Sequence, residues 1–248
     1  MKPFNSKPQV LTHIKIHVSS LDLEQKIDPS GRNLEVLKTA EKILQSVKNI
    51  WKPAAVYAWF GFQLTQTDTC GHLIQAPEKQ VTFDFGDSIK FLTHARHSLV
   101  AVYTAGPALE HKSQKASQRG DLLTSYLLDL IGLIVLEKVG NHINLLAQKK
   151  ALATKMGLGP FLSPGSVHGW KLEEQIKLCS LLPLEKINVK IQKNAVLSPF
   201  KTISCLIGLG PGYETARAGS FCQVCAKNAD CKMKHTSARD EVDKNQPL

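Results

Sequence analysis

Three cysteines near the C-terminus have a spacing that suits a metal site. Cys222, Cys225 and Cys231 follow the pattern Cys-x2-Cys-x5-Cys, and thiolates spaced in this way on a loop can converge on one metal. His235 would be the fourth ligand of a zinc site, with Cys205 as a more distant alternative. The same thiolates could hold an iron–sulfur cluster, or they could be inert or redox-active thiols. The spacing therefore predicts a metal centre, either zinc or iron–sulfur.

A tight turn is a second candidate site. It consists of Ser163-Pro164-Gly165-Ser166 and leads through Gly169-Trp170 into a short amphipathic helix predicted over 171–182. Proline fixes its own φ and glycine permits a positive φ, so the backbone here can fold tightly and expose amide groups to a bound ligand. His168 lies beside the turn and could reach the same ligand, although a surface histidine without such a role is the commoner outcome.

Two acidic residues interrupt the most apolar segment of the chain. Asp129 and Glu137 lie between Leu122 and Val139, and their spacing of eight residues places them on one face of a helix. A carboxylate on an otherwise buried helix needs a cation, backbone donors or a ligand, whereas on an exposed stripe it needs none. Gly132, between the two acids, indicates that another element packs closely against this helix.

The elements that must position these residues mix strands and helices irregularly. The apolar patterns predict strands at 10–18, 54–64, 81–85, 98–104, 187–191 and 203–209, and helices at 34–50, 89–95, 121–155 and 171–182. We expect a polar loop over 21–32, a helix or polar loop over 110–120, and a break in the long helix near Gly140. Because strands and helices do not alternate strictly, an α+β fold is favoured over a doubly wound one.

Composition limits the class of protein. A chain of 248 residues that is 43% hydrophobic can bury one substantial core. The net charge is +10, but the basic residues are scattered, which is typical of solvated surfaces. An acidic protein partner or nucleic acid is the functional alternative, and nucleic acid is the weaker of the two because only 6% of residues are aromatic. The polar segment from Met1 to Pro8 does not form a secretory signal. We expect a cytoplasmic protein with reduced cysteines and no membrane span.

A series of short motifs occurs in a characteristic order between about Lys52 and Cys231. They are Lys52-Pro-Ala-Ala-Val-Tyr57, Val100–Gly106 with Leu109-Glu110, Gly120-Asp121 before Tyr126–Gly132, Glu137, the Ser163–Ser166 turn, Gly169-Trp170, Glu174-Gln175, Ile187–Ile191, and Leu197-Ser-Pro199 running to Ser204–Gly208. Their order and spacing resemble the activation (reactivation) domain of cobalamin-dependent methionine synthase.

The resemblance implies a fold and a domain organisation. The fold is a curved single α+β domain in which a twisted antiparallel sheet is flanked by helices. We expect this core over 34–215, preceded by an N-terminal strand and loop over 1–33. A cysteine-rich segment over 216–236 and a polar disordered tail over 237–248 would follow it.

The resemblance also implies an activity of the methyltransferase class. In that family the domain binds S-adenosylmethionine and docks over cobalamin, and an electron from a flavodoxin-like donor together with a methyl group from S-adenosylmethionine restores methylcobalamin. This chain lacks the Asp-x-His-x-x-Gly loop that ligates cobalt. Its expected partner is therefore a corrinoid protein or a cobalamin-dependent methyltransferase, with a flavodoxin-like or iron–sulfur protein as electron donor.

The family's ligand pocket maps onto residues of this chain. The resemblance assigns S-adenosylmethionine binding to Glu137, to the Ser163–Ser166 turn and to Tyr213. The family turn is Arg-x-x-Pro-Gly-Tyr, and this chain has Phe161 in place of the arginine and Ser166 in place of the tyrosine.

Two other functions stay open. The chain could be a non-catalytic docking module for a corrinoid protein that keeps the fold without the ligand pocket. It could also be a metal-binding redox protein that delivers electrons through its cysteine cluster.

Overall fold

The computed structural model describes residues 7–27, 33–66, 69–76, 79–167, 169–215, 218 and 224. The strands are β1 Gln9–Leu11, β2 Ala54–Leu64, β3 Cys70–Ala76, β4 Lys79–Asp84, β5 His97–Thr104, β6 Gly157–Leu162, β7 Lys190–Ile191, β8 Leu197–Ser198 and β9 Thr202–Gly210. The α-helices are α1 Ser20–Ile27, α2 Leu34–Val47, α3 Ala108–Gln118, α4 Leu122–Thr154 and α5 Glu174–Cys179. Two 3-10 helices span Gly86–Leu92 and Leu184–Ile187.

A seven-stranded sheet forms the centre of the molecule. Its strands follow the order β4-β3-β2-β5-β9-β6, and β1 pairs with β2. Every pairing is antiparallel, with Val100 of β5 opposite Ala58 of β2 and Leu206 of β9. The short strands β7 and β8 form a separate hairpin. The expected α+β fold, with an antiparallel sheet flanked by helices, is confirmed.

Both faces of the sheet are covered. Along β5, Leu99, Ala101 and Tyr103 belong to one buried cluster, whereas Val100 and Val102 belong to another. The first cluster lies under α1 to α4, and the second lies under α5 and the two 3-10 helices. Side chains of a strand point alternately to opposite faces, so burial on both faces explains why β5 is a nearly continuous apolar run.

The long helix α4 is continuous. The Asp121 side chain caps its start by accepting a hydrogen bond from the Thr124 amide at 3.1 Å, and Lys155, with a φ of 54°, ends it. The expected break at Gly140 is wrong. A Cβ added at Gly140 would lie 2.9 Å from the hydroxyl of Tyr103, so this glycine makes room for a side chain of the sheet.

None of the helices in the described part of the chain has the length and apolar character needed to span a bilayer.

The N-terminal region contains a helix that the sequence analysis did not predict. Strand β1 is shorter than expected, and α1 occupies much of the predicted 21–32 loop. A reciprocal pair of hydrogen bonds begins α1: the Ser19 amide donates to Asp22 Oδ2 at 2.7 Å, and the Asp22 amide donates to Ser19 Oγ at 3.3 Å. This arrangement is a capping box, so Ser19-x-x-Asp22 was the available signal. The division into regions 1–33, 34–215, 216–236 and 237–248 stays a prediction.

Two ion pairs connect α1 to α4. Lys138 Nζ lies 2.7 Å from Asp22 Oδ1, and Lys26 Nζ lies 2.9 Å from Glu137 Oε2. Partial burial raises the pKa of the Asp22 carboxyl, but hydrogen bonds from Lys138 and Ser19 outweigh burial and lower the pKa overall. Asp22 therefore stabilises the folded state as a carboxylate.

We expect Asp22→Asn to lower the free energy of unfolding at pH 7 by about 1 kcal/mol, because the cap and the ion pair are both weakened. A carboxyl whose pKa is lowered by folding contributes stability above its unfolded-state pKa and loses it as the pH falls through the folded-state pKa. The difference in unfolding free energy between the native protein and Asp22→Asn should thus have its full size at pH 7 and shrink below pH ~4. Urea denaturation at several pH values measures it.

The control is Glu35→Gln, since Glu35 is 94% exposed and lies 3.9 Å from Lys38. This change should leave stability within about 0.5 kcal/mol at every pH. A difference between native protein and Asp22→Asn that grows on acidification would contradict the assigned role of the carboxylate.

Candidate functional site

The Ser163–Ser166 turn directly follows β6, a strand at the edge of the sheet. Gly165 has a φ of +76°, and both Gly165 and Ser166 are exposed. The Gly165 amide donates to Trp170 O at 2.8 Å and the Ser166 amide donates to Ser163 O at 3.1 Å. The predicted tight turn is therefore present, but these two amides are used within the loop. A ligand at this turn would have to contact other backbone groups or side chains.

A second loop holds the turn in place through contact between two glycines. Gly86 and Gly169 have φ values of +52° and +81°. A Cβ added at Gly86 would lie 2.7 Å from the carbonyl carbon of Gly169, so the two backbones are in direct contact. Next to them, the buried Trp170 ring lies 4.9 Å from the Phe85 ring, measured between centroids. The turn is thus fixed against the start of the 3-10 helix Gly86–Leu92.

A chain of buried hydrogen bonds fixes the same turn from the other side. Ser163 Oγ donates to Ser204 O at 2.7 Å, and Ser204 Oγ donates to Gln175 Oε1 at 2.7 Å. The Gln175 side-chain amide in turn donates to Ala195 O. These bonds join the turn to β9, to α5 and to the loop before β8, so contacts within the protein hold the turn on this side as well.

Glu137 and Tyr213 contact other parts of the molecule. The ion pair of Glu137 with Lys26 lies between α4 and α1. The Tyr213 hydroxyl donates to Phe91 O at 2.7 Å, and a Cβ added at Gly159 would lie 2.9 Å from its ring. Burial raises the pKa of Tyr213 well above its usual value. The six predicted ligand-binding residues therefore lie in three places: the turn, the α1–α4 contact and the start of β6.

Phe161 has a structural role at the position of the family's arginine. It is 5% exposed and belongs to the cluster between the sheet and helices α1 to α4. The side chain at this position points into the core, where an apolar ring is suited to the surroundings. Ser166, at the position of the family's tyrosine, is exposed, so a larger side chain fits there.

The predicted metal ligands Cys222, Cys225, Cys231 and His235 lie outside the described residues, as does His168. Cys205, the alternative ligand, is fully buried, and burial strongly raises the pKa of its thiol. Within the described ranges, no group of three His, Cys, Asp or Glu residues could hold a metal ion. The metal centre stays a prediction.

Asp129 has a cationic partner, which is one of the alternatives that the sequence left open. Lys201 Nζ donates to Asp129 Oδ1 at 3.0 Å, and a Cβ added at Gly132 would lie 3.4 Å from Lys201 Cε. The close approach predicted at Gly132 is thus confirmed, and the approaching group is a lysine stem. Lys201 itself was not predicted, because it lies in a turn 72 residues further along the chain.

Comparison with known proteins supports the fold. No family model and no curated protein matches this chain. Among solved structures, the crystal structure of the MetH reactivation domain bound to AdoHcy superimposes with a TM-score of 0.60, covering 85% of this chain and 81% of that chain at 11% sequence identity. The chain therefore has the fold of the MetH reactivation domain.

Proposed function

We propose that this protein is a stand-alone reactivation-type protein that binds S-adenosylmethionine and assists the reductive methylation of a corrinoid on a partner. The observation that carries this proposal is the fold shared with the MetH reactivation domain, which was crystallised with AdoHcy. AdoHcy is what remains of S-adenosylmethionine after its methyl group has been transferred. A related pocket in this chain would accept the same adenosyl group.

The proposed ligand contacts centre on the turn after β6. Ser163 and Pro164 are buried and Gly165 and Ser166 are exposed, so a ligand can reach only the second half of the turn. The Gly165 and Ser166 amides hold this half in place through their bonds to Trp170 O and Ser163 O, and a site that is positioned before binding has a lower entropic cost of binding. S-adenosylmethionine would supply the methyl group, and a flavodoxin-like or iron–sulfur donor the electron; the chain itself would bind and orient.

The proposed partner is a corrinoid protein or a cobalamin-dependent methyltransferase. This chain carries a net charge of +10, which favours a partner with an acidic surface. Exposed charges are screened beyond about 10 Å at 0.1 M ionic strength. The complex would therefore be weaker at high salt.

We expect S-adenosylmethionine to bind the native protein weakly. The resemblance implies that the arginine of the family turn pairs with the ligand carboxylate through two hydrogen bonds, and this chain has Phe161 at that position. Loss of this contact costs about 1.5–3 kcal/mol, or one to two decades of affinity. Ser166→Tyr should tighten binding by up to about tenfold, because an aromatic ring at this exposed position can pack on the ligand. Isothermal titration with S-adenosylmethionine and AdoHcy measures both affinities.

Ser166→Ala is the matched control and should bind like the native protein. An absence of binding heat for both the native protein and Ser166→Tyr would contradict the proposed pocket. That outcome would favour the second candidate, a docking module without a ligand. Two observations favour this second candidate. The amides of Gly165 and Ser166 are already hydrogen-bonded within the loop, and Phe161 is buried.

The cysteine cluster supports a separate proposal, a metal centre that gives the protein a redox or structural role. Cys225→Ser should remove the metal, because a site with three protein thiolates loses a central ligand. We expect about one equivalent of zinc or an iron–sulfur cluster in protein purified anaerobically without a histidine tag. Elemental analysis of the native protein and Cys225→Ser tests this, with the buried Cys179→Ser as control. An equal metal content in native protein and Cys225→Ser would contradict the proposal.

A further inference from the structure

A surface cleft of about 360 Å³ lies between α3, α4 and the segment that joins β8 to β9. Its size is at the lower end of the range for small-molecule sites, about 300–1,000 Å³. The residues around it are Glu110, Ser113, Gln114, Asp129, Phe200 and Lys201. Basic, acidic and aromatic groups therefore meet in one concavity, apart from the turn after β6.

Lys201 places a largely buried cation in this cleft. Its side chain is 10% exposed, and its stem lies against Gly132, where α4 has no side chain. An ammonium group has three N–H donors. Asp129 Oδ1, at 3.0 Å, is the acceptor that the described residues provide, so two donors have no protein acceptor among them. Because a buried charge is costly unless it is well paired, this ammonium is suited to an anionic ligand oxygen.

The opposite charge lies on the neighbouring walls. Asp129 is 45% exposed at its side chain, and only one of its oxygens is bonded to Lys201. Glu110 Oε2 accepts a hydrogen bond from the Phe200 amide at 2.7 Å, and Glu110 Oε1 accepts one from Gln114 at 3.4 Å. With one cation and two carboxylates, the cleft repels a simple anion. A simple cation would be attracted by the carboxylates but repelled by Lys201. A zwitterion, whose two charges are close together, complements it best.

The aromatic ring at the edge of the cleft indicates what else the ligand carries. Phe200 is 68% exposed, although its backbone is fixed by Glu110. Its ring centroid lies 5.4 Å from Lys201 Nζ, so an apolar group could pack on the ring while a charged group reaches the ammonium. Exposed aromatic rings beside convergent polar groups are typical of ligand sites.

We propose that this cleft binds a free α-amino acid with an apolar side chain. Its carboxylate would pair with Lys201, its ammonium with Asp129, and its side chain would pack on Phe200. This binding site goes beyond the proposed function and does not rest on it, since it shares no residue with the turn after β6.

L-phenylalanine is the probe, titrated into the native protein by calorimetry and followed by ligand-detected NMR. We expect saturable binding, and binding at least tenfold weaker for N-acetyl-L-phenylalanine and for L-phenylalaninamide, each of which lacks one of the two charges. Glycine, which has both charges and no side chain, should also bind more weakly. No binding of L-phenylalanine, or equal binding of the one-charge analogues, would overturn the proposal.

Variants identify the groups involved. Lys201→Met keeps a similar stem against Gly132 and should weaken L-phenylalanine at least tenfold, while L-phenylalaninamide, which has no carboxylate, should bind no more weakly than before. Phe200→Ala should weaken L-phenylalanine several-fold. Lys193→Met, at an exposed lysine away from the cleft, is the control and should change neither affinity. Equal losses for both ligands in Lys201→Met would overturn the assigned pairing.

Discussion

Gly169→Ala is expected to lower the free energy of unfolding by about 2–5 kcal/mol. Two costs add. An alanine at a φ of +81° is strained by about 1–2 kcal/mol, and its Cβ would lie 3.1 Å from the Gly86 carbonyl carbon and would overlap the Asp87 amide nitrogen. Because the obstacle is backbone, relief requires movement of a whole loop, and overpacking of this kind costs about 1–3 kcal/mol. Urea denaturation measures the change.

Gly120→Ala separates the two costs. Gly120 has nearly the same φ, +80°, but a Cβ added there would have no neighbour within 4 Å. This control should lose only the strain, about 1–2 kcal/mol. If Gly169→Ala were no more destabilising than Gly120→Ala, the contact that holds the turn would be absent.

The central strands could be predicted from the sequence because they are buried on both faces. β2 has the predicted bounds, and β5 and β9 differ from the predictions by one residue at each end at most. Their nearly continuous apolar and β-branched runs, bounded by glycine, proline or polar residues, are the pattern expected of such strands.

The edge strand β6 could not be predicted in this way. Its residues Gly157, Gly159 and Pro160 are poor strand formers. Tyr213 explains the glycines, since a Cβ added at Gly157 or Gly159 would collide with it. The two glycines are therefore explained by Tyr213, which lies more than fifty residues further along the chain, and no pattern within β6 itself indicates this contact.

The parts of the candidate site that depend on neighbouring residues in the sequence could be predicted. The Pro164-Gly165 turn follows from the conformational preferences of its own residues. The contact of Gly169 with Gly86 and the pairing of Lys201 with Asp129 join segments distant in the chain, and the sequence indicated only one side of each. Gly132 indicated that another element packs against α4, but the sequence did not show that this element carries Lys201.

Phe161→Arg is expected to destabilise the protein by about 3–5 kcal/mol or to prevent folding, and so to fail to restore the family's ionic contact. From the sequence alone, an arginine at this position would be expected to pair with the ligand carboxylate. In the folded chain, however, Phe161 is 5% exposed and packs in the cluster that includes Leu136 and Ile207. A guanidinium placed there would be a buried charge without an assigned partner, and uncompensated buried charges cost about 3–5 kcal/mol.

Phe161→Leu is the matched control, because it keeps the position apolar and should cost about 1–2 kcal/mol. Thermal and urea denaturation of both variants, with titration of S-adenosylmethionine, compare stability with binding. A stable Phe161→Arg protein that binds S-adenosylmethionine more tightly would mean that this side chain can turn from the core to the ligand. The expected loss of stability instead would mean that, if this chain binds S-adenosylmethionine, the cation that pairs with the ligand carboxylate must come from another residue.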